Sequence, residues 1–146
     1  MYLISYYSFK EFNKEYINLK LDTLQKVIQD NLDILLHKDG IILISYNAIT
    51  LNLIGFIIFD SWDDERFINI LYPWICNIYI KEKYRKLGIC KLMLFKLNKI
   101  IKVKKYNTYY LYCKKELIKY YHKLKYKYIY TFNQRNYIKY IFQYIP

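Results

Sequence analysis

Apolar and polar positions divide the chain into β-rich runs and stretches with a three-to-four-residue apolar repeat. Met1–Ser8 alternates weakly and predicts a first strand. Ser8 and Glu11 have the spacing of a capping box, and Phe12, Tyr16, Ile17 and Leu19–Leu21 follow at roughly helical spacing. In Asp22–His37, Leu24, Val27, Ile28, Leu32, Leu35 and Leu36 recur on one face, predicting a second helix that ends at Asp39-Gly40. Ile41–Tyr46 and Leu51–Asp60 read as a hairpin across Asn47-Ala48-Ile49-Thr50. A polar, acidic loop over Ser61–Phe67 follows. The next strand spans about Ile70–Ile80, with Pro73 near its start or at a bulge.

Tyr84–Gly88 is a basic loop, and Ile89–Ile101 predicts a helix with apolar positions Ile89, Leu92, Met93, Leu97 and Ile100. A strand at Thr108–Cys113, a short helix at Lys115–Leu124 and strands at about Tyr126–Phe132 and Tyr137–Ile145 complete the chain. The order β-α-α-β-β-β-α-β-α-β-β belongs to the α/β (α+β) class. It predicts one domain over residues 1–146, with a mixed central sheet of six to seven strands flanked by about four helices.

Composition supports a packed core. The 146 residues are 55% hydrophobic and 21% aromatic, which excludes disorder, and 3 Gly with 2 Pro excludes a collagen-like or linker chain. No apolar run reaches the roughly 18–20 residues of a membrane span; Leu53–Phe59 is among the longest. The N-terminus has no basic region or cleavage site of a signal peptide, so the expectation is an intracellular, cytoplasmic domain with no membrane partner. Cys76, Cys90 and Cys113 are well separated, and with His37 and His122 they make no metal-ligand spacing. Ile, Tyr, Asn and Lys are all inflated, as A/T-rich codons alone would produce, so the 20 tyrosines need no stacking role.

Charge is divided unevenly. Residues 1–76 carry 6 basic and 10 acidic groups, a net of −4, whereas residues 77–146 carry 18 basic and 2 acidic groups, a net of +16. An anionic ligand on the C-terminal half is implied, either a polyanion or a small phosphate-bearing cofactor. A basic nucleic-acid-binding module would use Lys102, Lys104, Lys105, Lys114, Lys115, Lys119, Lys123, Lys125 and Lys127 with interleaved tyrosines. Near-absence of Arg, and of any RNP-like, KH or helix-turn-helix pattern, disfavours nucleic acid.

The most informative stretch is Ile78–Leu92, an apolar strand feeding a basic turn that opens onto an amphipathic helix. The first turn of such a helix has unpaired N–H groups and the positive end of the dipole, and so favours phosphate. Gly88 has no Cβ to hold a ligand off the backbone, and Arg85 adds a cation beside it.

Arg85-Lys86-Leu87-Gly88-Ile89-Cys90 resembles the R/Q-x-x-G-x-G/A acyl-CoA loop of the GNAT superfamily of N-acetyltransferases. The likeness extends back through Ile78-Tyr79-Ile80 and Tyr84. Downstream, Lys119–Tyr126 is similar to the family's "x-f-Y-e-k-l-G-F" segment at the expected separation, and the element order is also the family's. Three positions depart from the pattern: Cys90 stands at a usual Gly/Ala, Glu82 where Pro is common, and Lys125 at the Gly that ends the family's last helix.

The resemblance implies a GNAT-like N-acetyltransferase that moves the acetyl group of acetyl-CoA to a primary amine by direct attack on the thioester, without a metal. It implies that backbone groups around Ile78, Tyr79 and Ile80 pair with the pantetheine arm. Amides of Lys86, Leu87, Gly88, Ile89 and Cys90 would cradle the pyrophosphate, with Arg85 nearby. Tyr121 matches the helix tyrosine that protonates the departing thiolate; Tyr120 is its rival by register, and Tyr121 on the apolar face with Leu117 and Leu124 also reads as core. Asp60, Asp63, Asp64, Glu65, His122 or a water chain are alternatives for the base, and none is assigned. Cys76 or Cys90 as an acyl-accepting nucleophile is disfavoured, because direct transfer needs none. The acidic loop favours a cationic acceptor: a polyamine, an aminoglycoside-like amine, a lysine or a peptide N-terminus. An amino-sugar phosphate and an acyl-CoA-binding pseudoenzyme are the other readings, and the final strand leaves a homodimer open.

Overall fold

The computed structural model describes residues 1–8, 40–60, 71–134 and 137–146. Its core is a seven-stranded mixed sheet, β1 (Tyr2–Ser8), β2 (Ile41–Asn47), β3 (Leu53–Asp60), β4 (Trp74–Ile80), β5 (Tyr109–Cys113), β6 (Lys127–Gln134) and β7 (Tyr137–Tyr144), in spatial order β1-β2-β3-β4-β5-β7-β6. Two α-helices are described, α1 (Ile89–Val103) and α2 (Ile118–Lys123), each entered through a short 3-10 turn, Glu82–Tyr84 and Lys115–Leu117. The two helices expected within Ser8–His37, and the loop Ser61–Phe67, lie outside the described residues.

The hairpin turn follows from Asn47, whose Oδ1 accepts from the backbone N–H of Ile49 and of Thr50 at 2.9 Å each. Such an Asx turn supplies locally the partner that the ladder cannot. Strands β2 and β3 read as continuous apolar runs because both of their faces are buried. One face carries Leu43, Ile57 and Phe59 against Met93, Leu97 and Ile101 of α1; the other carries Ile42, Ile44, Phe56, Ile58 and Trp74.

The buried stripe of α1 is Ile89, Met93, Leu94, Leu97 and Ile101. Positions four apart stack on one helix face, so Leu92, expected in the core, is turned out and 46% exposed. The Lys115–Leu124 helix shortens to a 3-10 turn and one and a half turns of α-helix, ending where Lys125 takes the left-handed conformation (φ 68°).

The last strand pairs within the chain. β7 inserts between β5 and β6, with Leu111 opposite Phe142 and Phe132 opposite Lys139. Among the described residues no helix is long and apolar enough to cross a membrane.

Candidate active site

Strands β4 and β5 are the parallel neighbours at the middle of the sheet, and they part company almost at once. Their single paired register is Trp74 with Tyr110, where the Tyr110 N–H donates to the Pro73 carbonyl at 2.9 Å. The divergence has a local cause on the other edge of β4. Ile58 of β3 opposes Asn77 and Phe59 opposes Ile75, so Cys76 is an extra residue in β4, a β-bulge that bends and twists the strand. Further along, Gly55 lets β3 approach closely: a Cβ there would sit 2.5 Å from the Tyr79 carbonyl oxygen and 2.5 Å from Ile80 Cδ1.

The splay opens into a cleft of about 540 Å³. Ile75, Cys76, Asn77 and Ile78 line it from β4, and Leu111, Tyr112 and Cys113 from β5. Lys114, Leu117 and Tyr121 follow in the next turn and α2, Ile138 and Lys139 come from β7, and Arg85 stands at the mouth. Among the described residues β4 and β5 share no register past Trp74, so the β4 edge at Ile78 borders the cleft, where an extended ligand can pair with the backbone.

The turn after β4 is held to the strand. Arg85 Nε donates to the Ile80 carbonyl at 2.9 Å, and the Arg85 N–H donates to the Glu82 carbonyl at 3.0 Å. Gly88 is the N-cap of α1 at φ 80°, a left-handed value that disfavours any Cβ, and the space a Cβ would enter holds nothing within 4 Å. No side chain caps this helix and its first turn holds no acidic residue. Helix geometry therefore leaves the first-turn amides pointing into open space, beside Arg85, in a form suited to an anion.

Tyr121 is 5% exposed and still reaches the cleft wall. Its ring packs edge-on against Tyr126 (5.4 Å between centroids) and Tyr120 (5.3 Å). Burial, then the neighbouring Cys90 and Tyr126, push its phenol well above the ordinary tyrosine value, so it is a neutral O–H donor. Tyr120 is not part of the cleft lining and lies near the Cys90 thiol; burial raises both groups. Cys113 is likewise raised, to about 11, by burial and by Glu116, which makes it a poor nucleophile at neutral pH.

The remaining expected residues fall in separate places. Ile78 lines the cleft, whereas Tyr79 stacks on Phe56 at 5.4 Å and Ile80 is buried in the core. Lys86 and Leu87 are exposed in the turn, Ile89 is buried, and Cys90 is partly buried. Asp60 is the last residue of β3, where the strand expected over Leu51–Asp60 ends, and it is fully buried. Asp63, Asp64 and Glu65 lie outside the described residues. His122 is exposed and packs on Phe142. Cys113 and Lys114 reach the cleft from the end of β5, and Lys139, which no motif singled out, reaches it because β7 lies beside β5. No sequence spacing signals that neighbourhood.

The nine lysines of the nucleic-acid reading are all exposed, but they divide between the two ends of β5, with Lys102, Lys104 and Lys105 before it and Lys114, Lys115 and Lys119 after it. Among the described residues no group of His, Cys, Asp or Glu could hold a metal.

No protein-family model and no curated protein sequence matches the chain. Solved structures do. The chain is similar to an acyl-CoA N-acyltransferase from Pseudomonas aeruginosa (13% identity, TM-score 0.70, covering 98% of this chain and 99% of that one). It is similar to ElaA of Escherichia coli (12% identity, TM-score 0.73, 98% and 99%). It is also similar to a GNAT-family acetyltransferase from Elizabethkingia anophelis with acetyl-CoA bound (15% identity, TM-score 0.64, 98% and 98%). The strand order, the central splay and these likenesses agree: the fold of this chain is that of the GNAT-superfamily acyl-CoA N-acyltransferases.

Proposed function

We propose that the protein is an acyltransferase that moves the acetyl group of acetyl-CoA to a primary amine. The observation that carries this reading is the splay of β4 from β5, with Arg85 lining the cleft three residues before the uncapped N-terminus of α1. An acyl-CoA needs an extended groove with backbone partners for its pantetheine and a cationic, amide-rich cradle for its pyrophosphate, and the cleft with Arg85 and the uncapped start of α1 support that reading. Bound there, acetyl-CoA supplies a thioester that an amine can attack.

The chain's own groups then have distinct tasks. The backbone around Ile78, with Tyr79 and Ile80 following it, orients the donor along β4. The amides of Gly88, Ile89 and Cys90, with those of Lys86 and Leu87, hold the pyrophosphate alongside Arg85. A backbone N–H of the β4 edge faces the developing oxyanion. Tyr121, protonated at neutral pH and on the cleft wall, gives its proton to the departing thiolate. Among the described residues no carboxylate or imidazole lines the cleft, and no base is assigned. The Cys113 thiol, held up at about 11, is not the acyl acceptor, and transfer is direct.

The test is acetyl-CoA-dependent thiol release measured over a panel of amines. Release that requires one class of amine supports the reading. Binding of acetyl-CoA with no release on any amine would make the chain an acyl-CoA-binding protein without turnover.

A further inference from the structure

We propose that the groove between α1 and α2 is a second ligand site, separate from the cleft, and that it takes a nucleoside phosphate. The inference goes beyond the acetyl-transfer reading and does not depend on it.

α1 and α2 come together at Cys90 and Tyr120, and the groove follows the later residues of both helices. It holds about 270 Å³ and shares no lining residue with the cleft. α1 contributes Lys91, Phe95 and Asn98, whose spacing puts them on one helix face. The end of α2 and the turn after it contribute Lys123 and Lys125, with Tyr126 and Tyr144 beneath.

The three lysines make the groove a concentrated positive site. All three are exposed, and among the described residues none is ion-paired. Neither α1 nor α2 contains an acidic residue to pair with them. Lys125 is the most informative of the three. It holds the left-handed conformation at φ 68°, which glycine adopts at less cost, and it stands where the family pattern has glycine. Its N–H donates to the His122 carbonyl at 2.9 Å. Glycine would make the same bond, so what the lysine adds is its charge in the groove.

Inorganic phosphate would use the lysines alone, but the groove also offers rings and an oriented amide. Phe95 is 58% exposed and gives a base a ring to pack against. The Tyr109 hydroxyl donates to Asn98 Oδ1 at 2.6 Å, which fixes the amide. Asn98 Nδ2 has no protein partner among the described residues. An N–H donor beside aromatic rings matches the ring nitrogens and carbonyls of a nucleobase, and the lysines match its phosphate. The volume lies at the small end of ligand pockets and suits a mononucleotide.

The experiment is calorimetric titration of the full chain with AMP, GMP, their nucleosides and ribose 5-phosphate, with and without saturating acetyl-CoA. It is repeated on Lys125→Gly, Lys123→Gln and Lys102→Gln. AMP or GMP is expected to bind roughly 10-fold or more tightly than its nucleoside and than ribose 5-phosphate, because charge and base both contribute. Binding persists in the presence of acetyl-CoA. Lys125→Gly and Lys123→Gln each weaken it roughly 10-fold. Lys102→Gln removes the same charge at the far end of α1 and leaves it unchanged. Lys125→Gly also relieves the left-handed strain, so its Tm without nucleotide is expected at or above that of the natural chain, which separates lost binding from lost folding. Displacement of the nucleotide by acetyl-CoA, equal binding of nucleotide and ribose 5-phosphate, or full affinity in Lys125→Gly overturns the proposal. Absence of AMP and GMP binding at millimolar concentration overturns it too. Failure of acetyl-CoA to bind overturns the transfer reading alone, and Lys125-dependent nucleotide binding then still supports this site.

Discussion

Two adjacent tyrosines in α2 show how a one-residue difference decides chemistry. Successive helical residues point about 100° apart, so Tyr121 reaches the cleft while Tyr120 meets Cys90 behind it. Sequence motif alone favoured Tyr121 without excluding its neighbour; the wall of the cleft separates them. Replacement Tyr121→Phe keeps the ring that packs on Tyr126 and removes the proton. It is expected to lower kcat by about 10²–10⁴-fold, with acetyl-CoA affinity nearly unchanged, as measured by steady-state rates beside a binding titration. Unaltered kcat would remove Tyr121 from the reaction. Gly88 was equally legible, because a helix start in the left-handed conformation favours glycine. Lys139 was not, since nothing in its local sequence distinguishes it from the other lysines of a lysine-rich chain.

At the scale of elements, the helix layer is bound to the sheet by a cluster of tyrosines. Tyr109 of β5 donates its hydroxyl to Asn98 Oδ1 of α1 at 2.6 Å and shares a hydrogen bond with the Tyr126 hydroxyl. Tyr144 of β7 closes the cluster, 4.9 Å from the Tyr126 ring and 5.3 Å from that of Tyr109. Burial, as the largest cause, raises the phenols of Tyr109, Tyr120, Tyr121 and Tyr126 above the ordinary tyrosine value. An unfolded tyrosine titrates near pH 10, so these groups stabilise the fold fully below that pH. As pH rises past it, the unfolded chain releases protons that the folded chain retains, and stability falls. Tm is expected to be flat through pH 9 as far as these groups are concerned and to drop steeply above about pH 10. In a spectrophotometric titration, phenolate from the buried cluster should appear together with loss of secondary structure. Complete phenolate formation in a protein that stays folded would contradict this packing. A codon-bias account of the tyrosines explained their number, but the cluster shows that several also hold α1, α2 and the sheet together.

For the whole molecule, the local periods sufficed for the hairpin, the strand-turn-helix at Gly88 and the order of described elements. What they could not contain was pairing across distance. The insertion of β7 between β5 and β6 and the extra residue at Cys76 are decided by tertiary partners, and together with the single β4–β5 register they make the cleft. The division of charge, −4 against +16, takes on a location: the positive half contains the Arg85–Cys90 turn proposed to hold the pyrophosphate and all three cationic groups of the described cleft lining. The most direct test of the account is calorimetric titration of the purified protein with acetyl-CoA. One site per chain with Kd of about 1–100 μM, weakened by salt, is the predicted result. No binding at several hundred micromolar would contradict it, whatever the fold.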